Sequence, residues 1–100
     1  MMVKGRTMHI LVAYDVKTET VEGRRRLRKV AQQCLNYGQR VQYSVFECQV
    51  NEMTLYKLQT ALEAIVEPGE DSIRIYHVNP FKTWVKGIDR YVDFDEPLIF

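Results

Sequence analysis

The sequence has few of the residues that build metal centres or cross-linked frameworks. Its 100 residues include only two cysteines and two histidines. None of these four residues lie at the close paired spacing that zinc sites show. Cys34 and Cys48 fall in a predicted helix and a predicted strand, so a disulfide between them is possible. We expect them instead to remain small, reduced, buried groups.

Long apolar runs are also lacking. The longest is far shorter than the roughly 20 residues that a helix needs to cross a bilayer, which excludes a membrane-spanning protein. The first seven residues, MMVKGRT, lack the apolar core of a signal peptide. We therefore expect a cytoplasmic protein with no membrane partner.

The chain has almost no excess of one sign of charge, because its formal net charge is only +1. The two halves differ, however. Residues 1–50 carry nine basic and four acidic groups, and residues 51–100 carry five basic and nine acidic groups. This asymmetry weakly indicates a basic face for a polyanion and an acidic face for another partner. No Ser-His or Cys-His nucleophile pair and no glycine-rich phosphate loop can be placed.

The clearest positive feature is the stretch Met8 to Val16, MHILVAYDV. Met8, Ile10, Val12 and Tyr14 alternate with His9, Leu11 and Ala13, so both faces of the predicted strand are largely apolar. Such a strand belongs in the middle of a sheet. Asp15, at its carboxyl end, either begins a turn or is presented at the rim of the sheet for chemistry.

Periodicity and turn residues predict a regular order of elements along the rest of the chain. Asn51 is a good cap for the second helix, and Gly38 is expected to close the first in a left-handed conformation. The predicted elements are a loop over 17–22, a helix over 23–37, a strand pair over 39–50 split near Tyr43 and Ser44, a helix over 52–66, a strand over 72–78 and a last short strand within 81–92.

This β-α-β-β-α-β order predicts an α+β ferredoxin-like sandwich with an extra C-terminal strand. Residues 8–100 form the single domain, and residues 1–7 are a natural extension, a misassigned start or a cloning remnant. Both helices pack on one face of the sheet in this fold. Because the first strand is apolar on both faces, we expect a homodimer packed through the sheets, with the C-terminal segment crossing to the partner.

Basic and polar residues outside the predicted core are the remaining candidates for function. A cluster of cations at the start of the first helix opposes the helix dipole and is suited to phosphate binding, although it could equally be a solvated face. These cations are Arg24, Arg25, Arg26, Arg28 and Lys29. Arg40 and Ser44 are polar positions in the otherwise apolar strand pair, and Phe46 is either core or exposed.

Four stretches together closely resemble the CRISPR-associated protein 2 family, in the short variants found with type I-C systems. They are YDV at 14–16, GRRRLRKVA at 23–31, YGQRVQYSVFEC at 37–48 and DSIRIYHV at 71–78. The resemblance runs from Met8 to the C-terminus, in order and at the expected spacing.

The resemblance implies a ferredoxin-like homodimer of the spacer acquisition stage. It implies that the dimer bridges CRISPR integrase subunits on double-stranded spacer DNA, and that it is an endonuclease for DNA or single-stranded RNA dependent on Mg²⁺ or Mn²⁺. The family's functional residues correspond to Asp15, as metal ligand and catalytic residue, with Tyr14, Arg40 and Phe46. Its helix arginines lie among Arg24 to Arg28, and Ser44 lies between the strand-pair residues.

Two hypotheses follow. In the first, the dimer brings both Asp15 side chains to one shared Mg²⁺, since one carboxylate provides too few ligands for an active metal site. In the second, the protein is a non-catalytic DNA-binding scaffold whose arginine-rich helices contact phosphates, and whose acidic, apolar C-terminal segment docks the integrase.

Overall fold

The structure is a computed structural model that describes residues 6–87. Its elements alternate in the order expected from the sequence: β1 (Met8–Asp15), α1 (Val21–Leu35), β2 (Gly38–Gln42), β3 (Val45–Val50), α2 (Glu52–Ile65) and β4 (Ser72–His77), followed by a short 3₁₀ helix (Pro80–Lys82). Neither described helix is long and apolar enough to span a bilayer.

The four strands form one antiparallel sheet in the order β2-β3-β1-β4. β1 is central, as its two apolar faces predict, and it pairs with β3 on one side and β4 on the other. Ala13 lies opposite Val45 of β3 and Arg74 of β4, which fixes the register across the middle of the sheet. The α+β ferredoxin-like architecture predicted from the sequence is confirmed.

Both helices cover one face of this sheet and bury its core. Strand residues at alternate positions and the apolar stripes of the helices supply that core, as the two periodicities predict. The buried residues are Ile10, Val12, Tyr14, Val16, Val30, Ala31, Cys34, Phe46, Cys48, Val50, Leu58 and Leu62, with Leu27, Leu55 and Ile65 packed against them.

Helix α1 begins two residues earlier than the sequence analysis predicts. Thr20 is its N-cap, and the Thr20 hydroxyl accepts a hydrogen bond of 3.0 Å from the Gly23 amide. The stretch 17–22 is therefore loop only as far as this cap. Helix α2 begins as predicted, with Asn51 and Thr54 forming a reciprocal capping box.

The prediction that Gly38 closes α1 in a left-handed conformation is wrong. Among the described residues only Gly87 has a positive φ, and α1 ends at Leu35 with Asn36 as a right-handed cap. Gly38 is instead the first residue of β2, opposite Cys48. A Cβ on Gly38 would collide with the Glu47 carbonyl oxygen and with Cys48, so close approach of two strands requires this glycine.

The strand pair divides at Tyr43 and Ser44, as predicted, because these residues form the turn between β2 and β3. The predicted last strand is not formed in its first part, since residues 81–87 continue the 3₁₀ helix into irregular backbone. The rest of that strand, the acidic C-terminal segment and most of the proposed N-terminal extension lie outside the described residues.

Candidate functional site

Asp15 lies at the carboxyl end of β1, on the edge of the sheet where the β2–β3 turn and the loops before α1 and β4 also meet. Its side chain is exposed and belongs to the sheet face that the helices do not cover. Ser72, the first residue of β4, lies opposite it. The structure thus presents this carboxylate at the rim, rather than using it to start a turn that buries it.

Tyr14 and Asp15 are adjacent in sequence but lie on opposite faces of the sheet, because side chains alternate along a strand. Tyr14 is buried beneath the helices together with Phe46, whereas Asp15 is exposed on the open face. The predicted catalytic set of Asp15, Tyr14, Arg40 and Phe46 is therefore not brought together in one chain. It divides into a carboxylate on one face and an aromatic group with Arg40 on the other.

The aromatic group is tightly organised. The Tyr14 and Phe46 rings stack with centroids 6.1 Å apart, and the Arg40 guanidinium carbon lies 5.1 Å from the Phe46 centroid. Burial raises the pKa of the Tyr14 phenol, and the neighbouring Arg40 offsets this only in part. The hydroxyl is buried without a hydrogen-bond partner among the described atoms. Tyr14 therefore stays protonated at neutral pH, and its hydroxyl can donate a proton to a hydrogen bond but cannot serve as a base.

The turn beside this group is tied to β1. Tyr14 donates its backbone N–H to the Ser44 carbonyl oxygen at 3.1 Å, which fixes the tip of the β2–β3 hairpin. Ser44 is half-buried and Tyr43 is exposed at this tip. The structure accordingly gives the backbone of Ser44 a structural role in positioning the hairpin.

Four of the five predicted helix cations are exposed at the start of α1, namely Arg24, Arg25, Arg28 and Lys29. Arg26 differs from them. Its guanidinium donates to Asp71 at 2.7 Å and to Glu70 at 3.0 Å, and only 17% of its side chain is exposed. The charge of Arg26 is therefore neutralised by neighbouring carboxylates. The exposed positive surface consists of the other four side chains.

Asp71 is a structurally important residue that the sequence analysis did not identify. Its side chain is fully buried and accepts hydrogen bonds from Arg26 and from the backbone amides of Lys17, at 3.1 Å, and Glu67, at 2.9 Å. Burial alone would raise the pKa of this carboxyl, but these hydrogen bonds outweigh burial and lower it. Asp71 thereby joins the loop after Asp15, the start of α1 and the loop before β4.

The cysteines are free and buried, as expected. Burial raises the pKa of both thiols to about 12, so neither is a nucleophile at neutral pH. The Cys48 thiol points towards the Cys34 carbonyl oxygen at 3.8 Å. Both residues serve the core.

The described residues include no group of three or more His, Cys, Asp or Glu side chains that could hold a metal ion. Asp15 nevertheless fits a hard divalent cation such as Mg²⁺, which commonly takes one or two carboxylates and keeps several waters. Among the described residues, one chain offers the Asp15 carboxylate alone at this position.

The open face of the sheet carries apolar side chains that the chain itself covers only in part. Leu11, Ala13 and Val45 are half-buried there, and Tyr76 is 44% exposed. This face contains Asp15 at its rim, so a partner that covered the face would also approach the carboxylate.

Comparison with known proteins places these features in a family. The sequence model of the family described as CRISPR associated protein Cas2 matches residues 8–84, which include β1 to β4 and the rim. The chain belongs to the Cas2 family. The matched region contains Asp15, all five helix cations and the aromatic group around Arg40.

Two named Cas2 relatives match this chain over almost their full length. The chain is 48% identical over 95 residues to CRISPR-associated endoribonuclease Cas2 1 of Moorella thermoacetica, covering 92% of this chain and 99% of that protein. It is 47% identical over 96 residues to CRISPR-associated endonuclease Cas2 of Halalkalibacterium halodurans, covering 93% of this chain and all of the relative.

A solved Cas2 structure shows the same fold. The crystal structure of Streptococcus pyogenes Cas2 superposes with a TM-score of 0.73 at 44% identity, covering 80% of this chain and all of that one. A hypothetical protein from Thermus thermophilus gives a TM-score of 0.74 at 33% identity, covering 84% and 95% of the two chains.

Proposed function

We propose that this protein is a dimeric, metal-dependent endonuclease that hydrolyses phosphodiester bonds in DNA or RNA. The observation that carries the proposal is the exposed Asp15 carboxylate at the end of β1, in a chain whose Cas2 relatives are named endonuclease and endoribonuclease. An exposed carboxylate at a strand end is accessible to a hard cation, which takes oxygen ligands.

The dimer follows from the open face. A second copy of the chain is the simplest cover for Leu11, Ala13, Val45 and Tyr76, and it would bring a second Asp15 to the rim. Two copies would then provide two carboxylates, whereas one chain provides one. A bound Mg²⁺ or Mn²⁺ supplies an activated water and stabilises negative charge on the scissile phosphate.

The protein's own residues have separate tasks in this mechanism. Asp15 holds the cation at the rim, and the four exposed cations of α1 attract and position the phosphate backbone. Within the described residues no side chain stands beside Asp15 as an obvious general base, which predicts a slow enzyme.

Replacing Asp15 tests the nuclease. Asp15→Asn keeps the shape of the side chain and removes its charge, so we expect cleavage of single-stranded RNA and double-stranded DNA to fall to background. Size-exclusion chromatography must show an unchanged dimer. Glu52→Gln is the matched control, because Glu52 is an exposed carboxylate just beyond β3, at the opposite edge of the sheet. Full activity in an intact Asp15→Asn dimer would refute the proposal.

The second candidate function is a DNA-binding scaffold that bridges integrase subunits during spacer acquisition. The exposed cations of α1 favour it, because phosphate contacts supply affinity without needing a cleavage site. Reversing the charge of Arg24 and Arg25 should strongly weaken duplex binding and reduce acquisition, and should lower the slope of binding against salt by about one unit per lost contact.

Arg26 is left out of this test because its loss would disturb the contact with Asp71. The two functions separate in cells. An Asp15→Asn protein that cleaves nothing but supports full spacer acquisition would identify the scaffold as the physiological role. Loss of acquisition, with the dimer preserved, would show that the carboxylate is needed there as well.

A further inference from the structure

The Arg40 guanidinium lies over two aromatic rings, those of Phe46 and Tyr43. Its guanidinium carbon lies 5.1 Å from the Phe46 centroid and 5.7 Å from the Tyr43 centroid. No ion pair of Arg40 occurs among residues 6–87. An exposed guanidinium that lies over two rings, and that pairs with no carboxylate in the described part of the chain, is suited to bind an anionic group.

The two rings have different surroundings. Phe46 is fully buried, so it can only support Arg40 from within the core. Tyr43 is 78% exposed at the tip of the hairpin, and Arg40 lies over its ring. Because so much of Tyr43 is exposed, a flat ligand can stack on the ring next to Arg40.

A third group points to an incomplete set of contacts. The Tyr14 hydroxyl is buried and lies close enough to the Arg40 side chain for Arg40 to lower its pKa, but no hydrogen bond of standard geometry reaches it among the described atoms. An unpaired buried hydroxyl costs free energy, so its presence beside Arg40 needs a reason.

We propose that Tyr43 and Arg40 at the β2–β3 turn form a binding site for an unpaired nucleotide, whose base stacks on Tyr43 and whose phosphate pairs with Arg40. Phe46 and Tyr14 are positioning residues for Arg40. Aromatic stacking combined with a nearby guanidinium is how proteins bind single-stranded nucleic acid, whose bases have free faces. Bases inside a duplex are already stacked on each other and cannot use such a platform.

This inference rests on the proposed nucleic-acid function but concerns a different place. The site lies on the hairpin and the helix-covered side, whereas Asp15 lies on the open face. Binding at Tyr43 can therefore be measured separately from cleavage, in the presence of EDTA so that no metal-dependent cutting occurs. The probe is a short fluorescein-labelled oligothymidylate, and a blunt duplex of the same length is its competitor.

The variants are Tyr43→Ala, which removes the platform, and Tyr43→Phe, which keeps it. We expect Tyr43→Ala to weaken binding of the single strand about tenfold and to leave duplex binding within about twofold, while Tyr43→Phe binds as the wild type does. Tyr56→Ala is the matched control, because Tyr56 is a similarly exposed tyrosine on α2, at 69%. It should bind both probes as the wild type does.

Three results would overturn the inference. They are unchanged single-strand binding by Tyr43→Ala, equal weakening of single-strand and duplex binding, or the same loss in Tyr56→Ala. Its failure is distinct from failure of the proposed nuclease. If the wild type cleaves nothing but Tyr43 governs single-strand binding, the nucleotide site stands alone. If cleavage depends on Asp15 and Tyr43→Ala binds normally, only the nucleotide site is refuted.

Discussion

Arg26 and Asp71, 45 residues apart in sequence, form a hydrogen bond of 2.7 Å from Nε to Oδ2, with the Asp71 side chain fully buried. The same carboxylate accepts hydrogen bonds from the amides of Lys17 and Glu67. One buried carboxylate therefore connects the loop that follows Asp15 to the helix that carries the exposed cations.

Asp71→Asn should lower the free energy of unfolding at neutral pH, since an amide cannot match the charge-assisted bond to Arg26. The hydrogen bonds lower the pKa of Asp71 in the folded protein below its ordinary value of about 3.9. The ionised carboxylate therefore stabilises the fold fully at pH values above the ordinary pKa. The stabilisation is lost as pH falls through the folded pKa. Urea unfolding of both proteins should show a gap at neutral pH that closes in strong acid. Glu70→Gln, which removes only the outer contact, should have a smaller effect.

Tyr14→Phe removes a buried hydroxyl that has no partner among the described atoms. We expect the variant to be more stable than the wild type by about 1 kcal/mol, because the cost of burying that hydroxyl disappears. Urea unfolding measures the difference. A clear loss of stability would mean that the hydroxyl is paired, with Arg40 as the nearest candidate.

Phe46→Ala should lower the free energy of unfolding by about 3–5 kcal/mol, because Phe46 is fully buried in the core. Phe46→Leu should cost markedly less. A loss of activity in Phe46→Ala alone would therefore reflect lost stability. Only a loss of activity in Phe46→Leu as well would indicate a catalytic role for the ring. If Phe46→Ala unfolded at the wild-type urea concentration, the ring would not be part of the core.

Cys34 and Cys48 should resist alkylation in the native protein. Burial raises both thiol pKa values to about 12, so the reactive thiolate is scarce and shielded at neutral pH. Mass spectrometry after iodoacetamide treatment should show no label in buffer and two labels in urea. Rapid labelling of native protein would indicate that the core opens near these residues.

Asp15→Asn should change the free energy of unfolding by no more than about 0.5 kcal/mol, because the side chain is exposed and makes none of the hydrogen bonds seen in the described residues. Thermal unfolding provides the measurement. A large loss of stability would mean that Asp15 has a structural role, and a loss of cleavage in the variant would then need another explanation.

The sequence was sufficient to predict features set by local periodicity. Alternation in Met8 to Val16 placed β1 at the centre of the sheet, and the helical spacing of Leu58 and Leu62 identified the buried stripe of α2. The sequence does not reveal the role of Gly38, because a glycine that ends a helix and a glycine that two strands need for close approach cannot be distinguished until the partner strand is known. The cap at Thr20 is not evident from the sequence, because Gly23 suggests a later start of the helix.

The site was predictable only in part. The type and position of Asp15 indicate a carboxylate at the rim of the sheet. No local pattern reveals that Arg26 forms an ion pair with Asp71. The grouping of Tyr14 with Asp15 followed their adjacency in the motif, whereas strand geometry separates them. Arg40 and Tyr43 come together through the bulged register between β2 and β3, which composition does not disclose.

The alternation along β1 makes the rim carboxylate sensitive to the length of the chain before it. Side chains repeat every second residue, so deleting one residue between Met8 and Tyr14 while the upstream pairing is kept would turn the acid under the helices and the phenol outwards. A charge would then enter the core while the open face lost its acid. Stability and cleavage, which single substitutions at Asp15 and Phe46 keep apart, would be lost together in such a deletion.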